Sequence, residues 1–164
     1  MKKGTIIAVS LAALAVIGIM LLGRSINGAM SSQTEVTIKS DLKAPETLFD
    51  FGVISMKNGN VAHTFQVKNP TDKDLTVVRL STSCMCTTAY IVDGASRSGP
   101  YGMPGMGGTK TNTIFEAGKS KEIEVVFDPN AHGPAGVGPM QRFIHLTDTS
   151  GGKLQLQITG TVKP

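Results

Sequence analysis

The chain has 164 residues, of which 40% are hydrophobic, with six Phe, two Tyr and no Trp, so a core has to be built mainly from Val, Ile and Leu. Its formal net charge is +4, but Lys2, Lys3 and Arg24 precede every acidic residue, and the remaining chain is nearly neutral. No basic stripe interleaved with aromatic residues is present, which argues against nucleic-acid binding. The length suits one domain with a core.

The amino-terminal segment is the most hydrophobic part of the sequence. Residues 5–22 carry no charge and lie between Lys2-Lys3 and Arg24. A helix of this length spans about 27 Å, close to the hydrocarbon thickness of a bilayer. Lysines before the run predict one transmembrane helix in the cytoplasmic membrane, with the following domain outside the cytoplasm. The alternative is a cleaved signal peptide and a secreted domain, with residues 27–29 as the candidate cleavage site.

The remaining sequence reads as short strands separated by turns. Apolar residues alternate with polar ones, most clearly in residues 154–162, as in strands with one buried face. We predict an all-β, Ig-like antiparallel β-sandwich of seven or eight strands, preceded by one N-terminal transmembrane helix. The predicted organisation is an anchor or signal over 1–30, a polar tether over 31–45 and the sandwich over 46–164. The predicted strands are 48–54, 61–68, 75–82, 87–92, 113–116, 122–127, 143–147 and 154–162.

Two long connections interrupt this pattern. Residues 93–111 and 128–140 are rich in Gly and Pro. Connections longer than about 12 to 15 residues without secondary structure are usually functional or disordered. Counting strand reversals predicts that both emerge at the same end of the sandwich.

The only two cysteines of the chain, Cys84 and Cys86, are separated by a single residue. In an extended strand their Cα atoms would be about 6.6 Å apart, near the upper limit of about 6.8 Å for a disulfide. Three states are consistent with this spacing: a disulfide in a tight ring, two buried thiols, or a pair of soft-metal ligands. The sequence does not choose among them.

If the cysteines bind a metal, the residue types around them favour Cu(I). Thiolate and thioether ligands select Cu(I). Met103, Met106, Met140 and His132 lie in the Gly/Pro-rich connections and are candidate accessory ligands. Zinc is less favoured because no second cysteine pair exists. Methionines in glycine-rich loops also serve as adaptable contact surfaces, so the pattern alone does not establish a metal site.

Catalysis has the least support. The sequence has neither a Gly-x-Ser-x-Gly elbow nor a phosphate-binding Gly-x-x-x-x-Gly-Lys-Ser loop. His63 and His145 lie within predicted strands, where a structural role is the more common one. We therefore predict a protein that is not an enzyme, with thiol–disulfide exchange at the cysteine pair as the remaining catalytic alternative.

Several motifs resemble a known family. They are the segments at 49–54, 63–69, 75–87, 117–127 and 158–162, the third ending in Ser-Cys-Met-Cys-Thr. Together they resemble the bacterial family called domain of unknown function 1573 over residues 46–163. Where the family usually has Cys-Gly-Cys-Thr, Met85 replaces the glycine.

The resemblance implies an Ig-like domain akin to the Hydin and major-sperm-protein sandwiches, exported or membrane-anchored. We predict a binding or scaffolding module with a protein partner at a sheet edge or at the Gly-rich loop end. The alternative is an exported Cu(I)-binding or thiol-redox protein.

Overall fold

The computed structural model describes residues 38–164 as two packed β-sheets. Two short 3-10 turns, Met56–Asn58 and Gly133–Gly136, are the helical elements of this part of the chain. The strands are β1 Leu48–Ser55, β2 Val61–Lys68, β3 Leu75–Thr82, β4 Thr87–Asp93, β5 Ser96–Tyr101, β6 Lys110–Phe115, β7 Ser120–Phe127, β8 Gly138–Asp148 and β9 Lys153–Lys163.

One sheet has the strand order β1-β9-β8-β3-β6 and the other the order β2-β7-β4-β5. The all-β sandwich is confirmed, but residues 38–164 form nine strands rather than seven or eight. The additional strand is β5, which lies in the predicted connection 93–111. Five of its six residues are exposed, so it carries no alternating pattern. The sandwich is also not wholly antiparallel, because β1 pairs parallel to β9.

The core between the sheets comes from alternate side chains, as the period of two predicts. In β7, Ile123, Val125 and Phe127 are buried, while Glu124 and Val126 between them are half-buried. In β9, Leu154, Leu156 and Ile158 face inward. Burial of these faces supplies the main driving force for sheet packing.

The packed structure begins before residue 46. Leu42 is 0% exposed and belongs to the core. Ser40 is buried, and its hydroxyl donates a hydrogen bond of 2.6 Å to Asp148. Isolated bridges join Lys39 to Lys153 and Lys43 to Lys68. Part of the predicted tether therefore packs onto both sheets.

The predicted transmembrane helix lies outside the described residues. Among residues 38–164, no helix is long and apolar enough to cross a membrane.

Three connections that cross between the sheets meet at one end of the sandwich. They join β3 to β4, β5 to β6, and β7 to β8. The amide of Asp128, after β7, donates to the carbonyl of Cys86 over 2.9 Å, and the amide of Thr82, at the end of β3, donates to Gly102 over 3.1 Å. The two long predicted loops therefore flank the cysteine segment, and we call this region the cysteine end.

Candidate functional site

The cysteine segment is a turn rather than an extended strand. The amide of Thr87 donates to the carbonyl of Cys84 over 3.1 Å, which closes the turn. The Thr82 hydroxyl stabilises it by donating to the carbonyls of Cys84 and Thr87. No non-glycine residue among 38–164 has a positive φ, so Met85 occupies the family's glycine position in an ordinary backbone conformation.

The turn brings the two cysteine Cα atoms to 5.2 Å, and a disulfide joins the side chains. This separation is shorter than in an extended strand, which explains how neighbours two positions apart can be bridged. Cys86 is 2% exposed and belongs to the core, whereas Cys84 is half-buried. One sulfur of the pair is therefore more accessible to an external reactant than the other.

His132 lies beside the more accessible sulfur. Its Nε2 atom is 3.3 Å from Cys84 Sγ, although the two residues are 48 positions apart. The connection from β7 to β8 positions the imidazole at the start of the 3-10 turn Gly133–Gly136. A Cβ on Gly136 would lie 3.3 Å from the His132 Cβ, so a residue without a side chain fits best at this point. The exposed imidazole is free to bind a ligand from its solvent side.

A cation lies beside the buried sulfur. Arg142 Nε, on β8, donates to Cys86 Sγ over 3.0 Å, and its Nη1 donates to the carbonyl of Gln141 over 2.8 Å. A guanidinium at this distance interacts more strongly with a thiolate than with a neutral sulfur, because the hydrogen bond becomes charge-assisted. The guanidinium of Arg142 therefore lies where it would contact Cys86 Sγ if the disulfide were reduced.

The sulfurs of Cys84 and Cys86 and a ring nitrogen of His132 all lie within 4.8 Å of one another. These three residues are the metal-binding candidates that the fold brings together. Arg142 was not identified from the sequence. It lies in a strand 56 positions from Cys86, and nothing in its local pattern indicates a contact with a sulfur.

The candidate methionines divide into two groups. Met103 and Met106 line a cavity of about 280 Å³ beside the cysteine turn, and Met85 lines the same cavity. Met140 is a core residue with 6% exposure and is absent from the residues that line this cavity. The interpretation of Met140 as an accessory loop ligand is therefore wrong, because β8 begins at Gly138 and turns this side chain inward.

The other two histidines have neighbours that explain their positions. The His63 ring stacks on Phe49 with a centroid distance of 3.6 Å, and its Nε2 is 2.8 Å from Glu46. Burial lowers the pKa of His145, and the positive charge of Lys153 lowers it further. His145 is therefore mostly neutral at pH 7. Neither histidine is among the residues grouped with the cysteine sulfurs.

Two sheets packed face to face and joined by crossing connections define an Ig-like β-sandwich. The sequence profile of the family described as "Protein of unknown function (DUF1573)" matches residues 42–101, from the segment before β1 to the end of β5. The predicted resemblance to this family is thus confirmed over this part of the chain. Residues 102–163 of the predicted extent lie outside the match.

Several solved structures resemble this chain. A protein of unknown function from Porphyromonas gingivalis W83 has a TM-score of 0.55 and 12% identity over 76% of this chain and 48% of that one. A family 123 glycoside hydrolase from Clostridium perfringens has a TM-score of 0.51 and 9% identity over 71% of this chain and 22% of that one. The PapD-like domain 7 of human CEP192 has a TM-score of 0.47 and 13% identity, covering 82% and 96% of the respective chains.

This chain spans about half the length of the Porphyromonas protein and 22% of the hydrolase. At these identities the first two similarities show the fold alone. No curated protein matches the chain.

Proposed function

We propose that this protein is an extracytoplasmic binding module, not an enzyme, whose Ig-like domain binds Cu(I) through Cys84, Cys86 and His132. The observation that carries the proposal is the convergence of two sulfurs and one imidazole nitrogen within 4.8 Å, from connections far apart in sequence. Thiolates are soft ligands that select Cu(I), and imidazole also suits copper.

The charge of the site supports the same metal. Two thiolates and one Cu(I) ion leave a single negative charge, which the guanidinium of Arg142 offsets from 3.0 Å. Zn²⁺ with the same ligands would have no such excess charge, and a structural zinc site normally has four protein ligands. The three residues grouped here therefore fit a low-coordinate Cu(I) ion better than zinc.

The disulfide corresponds to the oxidised, metal-free form of this proposed site. Reduction by a dithiol transfers two electrons and two protons to the Cys84–Cys86 bond, yielding two thiols while the dithiol becomes a disulfide. Binding of Cu(I) then displaces the thiol protons, so affinity should rise with pH. Metal uptake at this site therefore depends on prior reduction.

The test compares reduced and oxidised full-length protein under anaerobic conditions. Reduced protein, with two titratable thiols, should take up Cu(I) from a chromophoric competitor at the cysteine site, with native mass spectrometry recording the bound metal. Loss of the free-thiol signal on binding identifies the cysteines as ligands. Thiols that remain fully reactive at saturating Cu(I) would refute the proposal. If the pair instead equilibrates readily with glutathione, thiol–disulfide exchange becomes the better assignment.

We also propose that residues 5–22 hold the domain at the outer face of the cytoplasmic membrane, with the secreted form as the alternative. The uncharged run between basic residues supports this location.

A protein partner is proposed at the free edge of β6, where Ile114 is 47% exposed and the outer edge is open for an added strand. A photo-crosslinker at residue 114 should capture one specific partner in cells. A crosslinker at Gln155, which is exposed on the interior strand β9 of the same sheet, is the control. Equal capture from both positions would contradict an edge-specific partner.

A further inference from the structure

The cavity beside the cysteine turn is lined by three thioethers. Met85 reaches it from the turn between β3 and β4, and Met103 and Met106 reach it from the connection between β5 and β6. The rest of its lining is threonine, proline and glycine. No carboxylate, imidazole or amine is among the described residues that line it, so sulfur is the strongest metal ligand that the cavity offers.

Two of these methionines are unusually exposed for large apolar side chains. Met85 is 50% exposed and Met106 is 61% exposed, so they contribute little to the core. Their exposure is not explained by packing, because neither belongs to the buried cluster between the sheets. Their thioether sulfurs are therefore accessible to a ligand in the cavity.

The loop that carries Met103 and Met106 has a defined conformation. The amides of Met106 and Gly107 donate to the carbonyl of Met103 over 3.0 and 3.1 Å, and the amide of Gly102 donates to Gly108 over 2.9 Å. A Cβ on Gly107 would lie 3.3 Å from the Gly102 Cα, so the small residues let the loop close on itself. The hydrogen bond from Thr82 to Gly102 fixes the loop beside the cysteine turn. The methionines are therefore presented from a supported backbone.

Thioether chemistry differs from that of the cysteines in one decisive way. A thioether binds Cu(I) as a neutral ligand, so it requires neither deprotonation nor a reductant. It therefore remains available while Cys84 and Cys86 are joined in the disulfide. Hard ions such as Mg²⁺ and Ca²⁺ need oxygen ligands and have no charged oxygen here.

We propose that Met85, Met103 and Met106 form a second Cu(I) site, separate from the cysteines and occupied while the disulfide is intact. The inference rests on the proposed function for the choice of metal, but not on the thiolates. The two sites adjoin, since Met85 lies between the two cysteines in the chain. The methionine site would hold Cu(I) in the oxidised protein, and reduction would open the stronger thiolate site next to it.

The experiment uses oxidised full-length protein in which a thiol assay detects no free sulfhydryl. The protein carries ¹³C-labelled methionine methyl groups. It is titrated first with Ag(I), which has the same ligand preference and undergoes no redox reaction here, and then with Cu(I) under anaerobic conditions. We expect one bound equivalent, with the methyl signals of Met85, Met103 and Met106 shifting together. The double variant Met103→Leu/Met106→Leu keeps the side-chain volume and should weaken binding at least about tenfold.

Two controls separate the possible failures. Met56→Leu alters a methionine that lines a different cavity and should leave the affinity unchanged. Because the methionine site does not use the cysteines, the Cys84→Ser/Cys86→Ser variant should bind Ag(I) with the same affinity as the oxidised wild-type protein. Oxidised protein that binds no Ag(I), or equal affinity in the double methionine variant, would overturn this inference while leaving the thiolate site standing. Retained methionine binding with no thiol protection in reduced protein would instead reject the cysteine site alone.

Discussion

Reduced Cys86→Ser protein is expected to bind Cu(I) at the cysteine site more than about 100-fold more weakly than wild type. Loss of a group that only hydrogen-bonds to a metal ligand already lowers metal affinity by about 10- to 100-fold, and loss of the ligand itself should cost more. A serine hydroxyl is a hard, protonated ligand that cannot replace a thiolate toward a soft ion. Cys86 is also the sulfur that Arg142 contacts, so the substitution removes both the ligand and its charge-assisted hydrogen bond. Competition titration against a chromophoric Cu(I) chelator measures the change.

Arg142→Gln is expected to have a smaller effect on Cu(I) affinity than Cys86→Ser. It keeps both sulfurs and should reduce the affinity by about 10- to 100-fold, as expected for an outer-shell group. Arg97→Gln is the matched control, because Arg97 pairs with Glu124 near the β4–β5 hairpin and contacts neither cysteine. Urea unfolding of each variant checks that the domain remains folded. The Cys86→Ser measurement is made in protein that also carries Met103→Leu/Met106→Leu, so that only the cysteine site is measured. Unchanged Cu(I) affinity there would show that Cys86 is not a ligand.

Asp148→Ala is expected to lower the free energy of unfolding by about 3 kcal/mol, because several hydrogen-bond donors lose their partner near the protein interior. Asp148 is 5% exposed and accepts hydrogen bonds from the Ser40 hydroxyl, the Ser150 amide and hydroxyl, and the Gly152 amide. The substitution would also remove the side-chain hydrogen bond that joins Ser40 to the β8–β9 hairpin, while the backbone bonds between residues 38–40 and Lys153 stay in place. Asp50→Ala is the control, since Asp50 accepts one exposed hydrogen bond from Gly52 and should cost less than about 1 kcal/mol.

The pH dependence provides a second measurement at the same residue. Desolvation raises the pKa of Asp148, but hydrogen bonds from Ser150, Ser40 and Gly152 outweigh it and hold the pKa below its ordinary value of 3.8. The unfolded chain therefore takes up the proton first as the pH falls. The stabilisation is complete above about pH 5 and is lost as the pH falls through 3.8 toward the folded-state pKa. Asp148→Asn should show a shallower loss of stability between pH 5 and 3, and an unchanged slope would contradict this role.

The sequence predicted the strands whose side chains alternate strictly, because burial of one face leaves a period of two. β7 and β9 are the clearest cases. It missed β5, since a strand with five exposed residues out of six has no such signal. The parallel pairing of β1 with β9 was also not predictable, because it depends on contacts between the two ends of the domain.

The candidate site was predictable in part, from the types of residue that the sequence places in its connections. His132 and the methionines were identified by residue type within Gly/Pro-rich connections, and the fold places His132 3.3 Å from Cys84 Sγ. Arg142 was missed because a single arginine just before the predicted strand 143–147 has no distinctive pattern, although it belongs to β8. Met140 was misassigned because β8 begins earlier than its composition indicates, and its first residues Gly138 and Pro139 resemble a loop.

The parallel alignment of the first and last strands has a practical consequence for handling the protein. Residue 39 joins the domain beside Lys153, near the Asp148 end, whereas Pro164 follows β9 at the cysteine end. Pro164 lines a cavity with Pro134 and Val137, only a few residues from His132. An affinity tag or immobilising linker after Pro164 would therefore crowd the histidine's connection. A tag inserted ahead of residue 38 would join the sandwich at the end opposite the cysteine end and leave the cysteine end accessible.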